Sequence, residues 1–200
     1  MTLRLIILYV YLYATSPFTI LANEVESVPK LNIPSYMGTW HQIAAIPAWF
    51  QKKCKSDITA NYQRLETGEI KVTNRCRKKN GSYSKAVGQA RINQEYNSTA
   101  KLEVTFAQLL NKWLWFIAGD YWVLDLGKDY SYSVVGDPKR KYLWILARTP
   151  NIDRESLVSI EKNIRLQGYD TCRVKITQTR NLHNTRLCDL KSTSQTVAKI

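Results

Sequence analysis

The chain has 200 residues, 44% hydrophobic and 22% charged, which fits one globular domain and leaves little room for two. Its formal net charge of +13 admits nucleic acid, an anionic membrane or an anionic ligand as partner and selects none of them. Four cysteines without a C-x-x-C pair, and only two histidines, His41 and His183, exclude a zinc site of ordinary spacing, and no metal or other cofactor is expected.

Residues 1–22 read as a signal peptide. Arg4 supplies a positive start, Leu5 to Tyr13 is an uncharged apolar run too short to span a bilayer, and Ile20 and Ala22 suit a cleavage end. No Cys follows the run, so lipid attachment is not expected there. The mature chain is expected to be exported to a periplasm, to an outer membrane surface or to the medium. Such a compartment makes disulfides the better reading of Cys54, Cys76, Cys172 and Cys188. Three connectivities are possible. Cys54 and Cys76 flank a predicted hairpin, which favours that pair with Cys172–Cys188 as the remainder, each closure contributing about 3 kcal/mol. A bridge from Cys54 to Cys188 stays open as the rival.

A leader, 23–36, precedes the patterned part of the chain. From residue 37 short strands alternate with turns. GTWHQIAAI is the first. SDITANYQRL sets Ile58, Ala60 and Tyr62 against Asp57, Thr59 and Asn61. A turn at Gly68 leads to EIKVTNRC, with Ile70 and Val72 on one face. A turn at Gly81 leads to SYSKAVGQARI, whose one face carries only Ser84, Ala86, Gly88 and Ala90. KLEVTF sets Leu102, Val104 and Phe106 against Lys101, Glu103 and Thr105. YWVLDL, YSYSVV and YLWILA follow, separated by GKD and GDPKRK. Eight strands with one polar and one apolar face, joined in sequence by short turns, predict an all-β fold, an eight-stranded antiparallel up-and-down barrel. Closure removes the sheet edges, and the bore accommodates one small ligand.

A single helix breaks the pattern. Asp153 is a good N-cap, Glu155 lies in the first turn, Gly168 follows the end, and Leu157, Ile160 and Ile164 form one apolar stripe. The outside of the barrel is its natural partner. CRVKITQT then supplies a short ninth strand. The barrel domain is bounded at 37–179, and 180–200 is expected to be a basic, disordered tail.

Three motifs in order carry a family resemblance. GTWHQIAAIPAWF, with Gly38 and Trp40, looks like the G-x-W entry motif of the lipocalins. GDYWVLDLGKDYSYSVVGDP, around Asp129 and Tyr130, is similar to the motif between their sixth and seventh strands. Arg148 in YLWILARTPNI resembles their last-strand arginine. The similarity runs from about Tyr36 to Gln178 and is closest to the bacterial lipocalin and apolipoprotein D group. It implies a cup with one closed and one open end that binds a small hydrophobic ligand. On face parity, Trp40, Gln42, Ala44 and Ile46 share the inner face of the first strand, and Trp144, Leu146 and Arg148 that of the eighth. Arg148 then arrives beside Trp40 at the closed end, a stack worth about 0.5–2 kcal/mol, and Trp40 acts as the plug.

The same order sends IPAWFQKKCK, CRKKNGSY, QLLNKWLWFIAG and GDPKRK to the open end. Two of these are unusually apolar, through Trp49 and Phe50 and through Leu109 to Ile117. They fit a lid over a cavity, a patch that dips into a membrane, or local core. The rim is basic, with Lys52, Lys53, Lys79 and Arg140 as candidates for an anionic head group; a merely solvated basic face is the alternative. Parity gives the lining as Ile58, Tyr62, Ile70, Val72, Val104, Phe106, Trp144 and Leu146, and the lid adds Trp113, Trp115 and Phe116. Tyr62 and Trp144 also match pocket positions of the apolipoprotein D-like relatives that the chain resembles. Tyr132 is a further candidate, although Tyr121, Tyr132 and Val134 lie where both strand faces are apolar.

The expected partner is therefore a hydrophobic or amphiphilic molecule, such as a fatty acid or lysophospholipid, bound for transport, storage or membrane maintenance by a monomer or dimer. An anionic membrane surface or a protein met by the open-end loops is the second reading. No G-x-S-x-G, H-E-x-x-H or P-loop marks an enzyme, and an isomerase of the kind found among a few lipocalins stands on analogy alone. Export and the use of aromatics at a cup mouth argue against nucleic acid. Two sequons, Asn80-Gly81-Ser82 and Asn97-Ser98-Thr99, fall at predicted turns.

Overall fold

The structure, a computed structural model, describes residues 24–177, 182 and 184–190. The expected signal peptide and residues 191–200 lie outside them. The short helix α1 (Ile33–Tyr36) leads into β1 (Gly38–Ala45), β2 (Cys54–Arg64), β3 (Ile70–Lys78), β4 (Tyr83–Ile92) and β5 (Lys101–Thr105). A small ribbon of β6 (Gln108–Leu109) and β7 (Lys112–Trp113) precedes β8 (Gly119–Leu126), β9 (Tyr132–Gly136) and β10 (Leu143–Ala147). The helix α2 (Arg154–Leu166) and β11 (Lys175–Ile176) follow. Strands β1–β5 and β8–β10 pair antiparallel in sequence order, and β10 returns to β1, so eight strands close the barrel. The ribbon stands apart from that sheet.

The barrel has two apolar cores. Inside its closed half lie Trp40, Tyr62, Ile70, Val72, Leu102, Val123, Val135 and Leu146. Outside, α2 sets Leu157, Ile160 and Ile164 against Ile43, Val134, Leu143 and Ile145. Full burial of each aliphatic side chain contributes about 1.5–3 kcal/mol. Asp153 begins the helix by accepting a hydrogen bond from the Ser156 N–H at 2.6 Å. Gly168, at φ +80°, ends it by turning the chain so that the Tyr169 N–H reaches the Ile164 carbonyl at 3.1 Å.

Strand β1 departs from simple alternation. Gln42 faces Leu146, but the register slips before Ala44, which faces Ile145, while Ala45 faces Trp144. The expected inner face of Trp40, Gln42, Ala44 and Ile46 is thereby corrected: Ala45 turns inward, and Ala44 and Ile46 join the outer core. One extra residue in a strand exchanges its faces. Strand β2 bulges between Cys54 and Thr59, with Asp57 at φ +53°, and pairs with β1 only as far as His41. Beyond that point β11 takes its place beside Ala44 and Ala45.

The leader closes the base. Leu31 donates to and accepts from the Thr99 hydroxyl, and the Val28 N–H reaches the Val123 carbonyl. The disulfides are Cys54–Cys76 and Cys172–Cys188, so the Cys54–Cys188 alternative does not occur. The expected disordered tail is also corrected where it is described. Leu187 and Leu190 are buried in the outer core, and Cys188 holds that segment to Cys172. Two buried leucines and a covalent link outweigh the lack of periodicity that the sequence shows here.

Candidate ligand-binding site

At the closed end, Arg148 sits over the Trp40 indole with Cζ 3.8 Å from the ring centroid. Its guanidinium donates to the Thr39 and Ser35 carbonyls at 3.2 and 2.6 Å. The Trp40 Nε1–H donates to the Tyr36 carbonyl at 2.9 Å. Gly38 takes φ +96°, a backbone conformation that favours glycine, and lies directly beside the arginine, where a Cβ would be 3.4 Å from Nη1. Asp129 and Tyr130 both have positive φ, 52° and 58°, in the turn between β8 and β9. The Tyr130 hydroxyl accepts from the Asn32 N–H at 2.9 Å, which ties that turn to the leader.

Above this plug lies a polar floor. The Tyr36 hydroxyl is 2.8 Å from that of Tyr121 and 3.0 Å from that of Ser133, and Tyr121 is 2.9 Å from the Tyr62 hydroxyl. Burial pushes the Tyr36 phenol up to about 12 and also raises Tyr62 and Tyr121, so all three stay protonated donors at neutral pH. Tyr36 sits in α1, outside any strand alternation, and Ser133 carries no apolar signal. Pattern reading could not have found either.

Two rows of paired residues continue the wall: Gln42, Leu146, Ser133 and Leu126, then Ala45, Trp144, Val135 and Val123. On the other side run Tyr62, Val72 and Gly88, then Ala60, Asn74 and Ala86, then Ile70, Ala90 and Val104. Tyr62, Ile70, Val72, Val104, Trp144 and Leu146 thus share the inner side, whereas Ile58 lies within the β2 bulge, where alternation no longer fixes a face. A Cβ on Gly88 would meet the Phe106 ring at 2.7 Å, so the missing side chain lets that phenyl lie against the wall. Every residue named in these rows is uncharged; Arg64, which pairs with Ile70 at the β2 end of the last row, is exposed. Ala60, Asn74, Val104, Tyr121 and Trp144 are only half-buried, and Ala86 is exposed, although the wall encircles them. Strand pairing sets their side chains on the inner face.

Aromatic rings gather at the mouth. Trp144 stacks on Tyr142 at 5.7 Å and 15°, Phe50 lies 5.9 Å from Tyr142 and 6.5 Å from Trp144, and Trp49 meets Phe50 edge-on. Gln51 links the Trp144 Nε1–H to the Gln42 side chain. Lys52, Lys53 and Lys79 are exposed on the loops here. Trp113 is half-buried in the ribbon.

Four expected site residues lie elsewhere. Tyr132 packs on the outer core, because Ser133 and Val135 take the inward places on β9. Arg140 turns to the end of α2, where its Nε–H donates to the Gln167 carbonyl at 2.6 Å, and so is not a lip cation. Trp115 lies on the outside of the wall, its ring 4.0 Å from the Arg91 guanidinium. With Phe116 it borders a groove of about 330 Å3 shared with Asn93, Gln94, Glu95 and Glu103. The loop is folded back there because the Thr105 hydroxyl donates to the Leu114 carbonyl and the Leu114 N–H to that of Ala107.

The chain was compared with known proteins. The family model described as "Lipocalin-like domain" matches residues 31–179. Temperature-induced lipocalin-1 of Arabidopsis thaliana is 36% identical over 148 residues, covering 74% of this chain and 79% of that protein. The outer membrane lipoprotein Blc of Vibrio cholerae is 29% identical over 154 residues, covering 76% and 85%. Apolipoprotein D of Rattus norvegicus is 29% identical over 154 residues, covering 72% and 75%. Among solved structures, insecticyanin of the tobacco hornworm Manduca sexta aligns with a TM-score of 0.62 at 18% identity, over 81% of this chain and 89% of that one, a likeness of fold alone.

Proposed function

The chain belongs to the lipocalin family, and from that premise we propose that it is an exported carrier of a small hydrophobic or amphiphilic ligand held in the barrel. One observation carries this reading. Uncharged inner-wall residues, Trp144 and Val104 among them, are only half-buried although the wall surrounds them. An acyl chain that covers them is stabilised by about 25 cal/mol per Å2 of apolar surface removed from water. Lys52, Lys53 and Lys79 would hold the anionic head of a fatty acid or lysophospholipid at the lip. Native mass spectrometry of protein from its own source, with Trp fluorescence titrations using fatty acid, lysophospholipid and retinoid, tests the reading. A co-purifying lipid and saturable quenching that Trp144→Ala weakens are expected. No lipid mass and no saturable quenching would overturn it.

A second reading, docking of the open end on an anionic membrane, is favoured by Leu110. It occupies the turn between β6 and β7 with φ +48° and is 87% exposed; Asn111 follows with φ +62°. Turns with two positive φ values prefer Asn-Gly, and a leucine there is disfavoured by both backbone strain and water. Local rules broken together mark a site of function. Leu109 and Ile117, on the same connection, are also exposed, as is Trp49 on another open-end loop, and Lys52, Lys53 and Lys112 supply positive charge. Co-sedimentation with phosphatidylserine vesicles that fails with phosphatidylcholine alone, and that Leu110→Asn weakens, is the expected result. Equal behaviour of the two vesicle types would sink this second reading.

A further inference from the structure

The four hydroxyls of the floor do not balance. Tyr62, Tyr121, Tyr36 and Ser133 form a chain joined by three hydrogen bonds, and no further acceptor for them occurs among the described residues. Each hydroxyl has one proton to donate, so three bonds use three protons and one is left over. Ser133, Tyr36 and Tyr62 are 0%, 2% and 7% exposed, and an unpaired donor at any of them is buried at a cost. Tyr121 is half-buried, and its pairing with Leu102 places it on the inner face of the barrel. The arrangement that strands no buried donor has Ser133 donating to Tyr36, with Tyr36 and Tyr62 both donating to Tyr121. The Tyr121 proton is then free to point into the cavity.

We infer that the bore takes a neutral lipid with a hydrogen-bond acceptor, a long-chain aldehyde, ketone or ester, seated with its carbonyl on the Tyr121 hydroxyl and its chain towards the mouth. This rests on the carrier reading above and adds to it the polarity and orientation of the ligand. The charge nearest the floor is Arg148, which lies beneath it over Trp40 and donates to the Ser35 and Thr39 carbonyls, so a carboxylate lowered to the floor would be desolvated with only hydroxyls to meet it, whereas a carbonyl needs only one donor. Anionic lipids are thereby confined to the opposite pose, head up at the lysine lip. The two poses make different demands on the protein: one depends on Tyr121, the other on Lys52 and Lys53.

The test is competitive binding of a long-chain methyl ketone, the alkane of equal length and palmitate. Wild-type protein, Tyr121→Phe and a Lys52→Ala/Lys53→Ala variant are compared, with melting temperature as the check on folding. The wild type is expected to prefer the ketone to the alkane about five- to ten-fold, the worth of one hydrogen bond in a dry site. Tyr121→Phe is expected to abolish that preference, and the lysine variant to weaken palmitate alone. Independently of any variant, the infrared carbonyl stretch of the wild-type-bound ketone is expected at the lower, hydrogen-bonded frequency. A ketone preference untouched by Tyr121→Phe, or a carbonyl stretch at its free frequency, would mean that water satisfies Tyr121, and would overturn the inference while leaving the carrier reading intact. Failure of all three probes to bind would remove the carrier reading, and this inference with it.

Discussion

Arg148, from the end of β10, and Trp40, from the start of β1, hold each other at the base of the barrel, the guanidinium carbon 3.8 Å from the indole centroid. The contact joins the two strands whose pairing closes the barrel, and it spends its donors on the Ser35 and Thr39 carbonyls beside them. Arg148→Ala removes the stack and two hydrogen bonds to carbonyls that water can then reach, which is expected to cost about 1–2 kcal/mol. Arg148→Lys should recover only part of this, because an ammonium cannot present the planar fork. Urea denaturation of both variants measures the two steps.

The floor tyrosines make stability fall in alkali. Burial raises Tyr36 to about 12, and raises Tyr62, Tyr121 and Tyr169 as well, above the value that each has in the unfolded chain. For a group raised in this way, the favourable contribution is whole below the unfolded value of about 10 and is lost as pH climbs through the folded one. Denaturation midpoints should therefore drop steeply from about pH 10 upward. In a spectrophotometric titration, these four phenols should ionise only as the protein unfolds. A smooth titration of every tyrosine in the folded state would refute this.

Gly136 is required by a neighbour rather than by its own backbone. A Cβ there would run into the Tyr169 hydroxyl, which donates to the Asp137 carbonyl at 2.7 Å and accepts from the Asp137 N–H at 3.0 Å. Gly136→Ala is expected to destabilise by about 2 kcal/mol. Against a Tyr169→Phe background the same change should cost less, and a double-mutant cycle measures the difference.

Removing the second disulfide tests how far the segment after β11 belongs to the domain. Cys172 and Cys188 close a loop of sequence separation 16 around Val174, Ile176 and Leu187, all in the outer core. Cys172→Ser/Cys188→Ser is expected to lower stability by about 3 kcal/mol while the barrel still forms. Proteolysis should then cut within 182–190 before it cuts the strands. Unchanged protease resistance there would show that burial of Leu187 and Leu190 suffices.

Leu110 offers a change of the opposite sign. Asparagine tolerates the positive φ that this position imposes and exposes less apolar surface. Leu110→Asn should raise the melting temperature of the free protein slightly, corresponding to about 0.5–1 kcal/mol. Destabilisation by this change would show that the leucine has packing partners in solution.

The inward faces of β3, β5 and β10 were legible because Ile70 and Val72, Val104, and Trp144 and Leu146 stand on unbroken alternation. Tyr132 was misassigned for a related reason: around β8 and β9 both faces are apolar, so the period of two carries no sign, and Ser133 hides the inward register. Arg140 and Trp115 were misassigned because a loop's direction depends on what it meets. The carbonyl of Gln167 and the guanidinium of Arg91 are distant in sequence from those two residues, and no local pattern announces them.

The amino-acid order alone therefore determined the eight barrel strands, their antiparallel closure and the outer helix, since these follow from periodicity and from up-and-down connection, and with the three ordered motifs it also brought Trp40 to Arg148. Tertiary structure decided which side of β1 faces the bore beyond Gln42, because a single inserted residue inverts every side chain after it. It also decided that Tyr36 from the leader joins Tyr62, Tyr121 and Ser133 in one floor. Hydrogen bonds between residues so far apart in the chain exist only once the barrel has closed and brought their hydroxyls within reach.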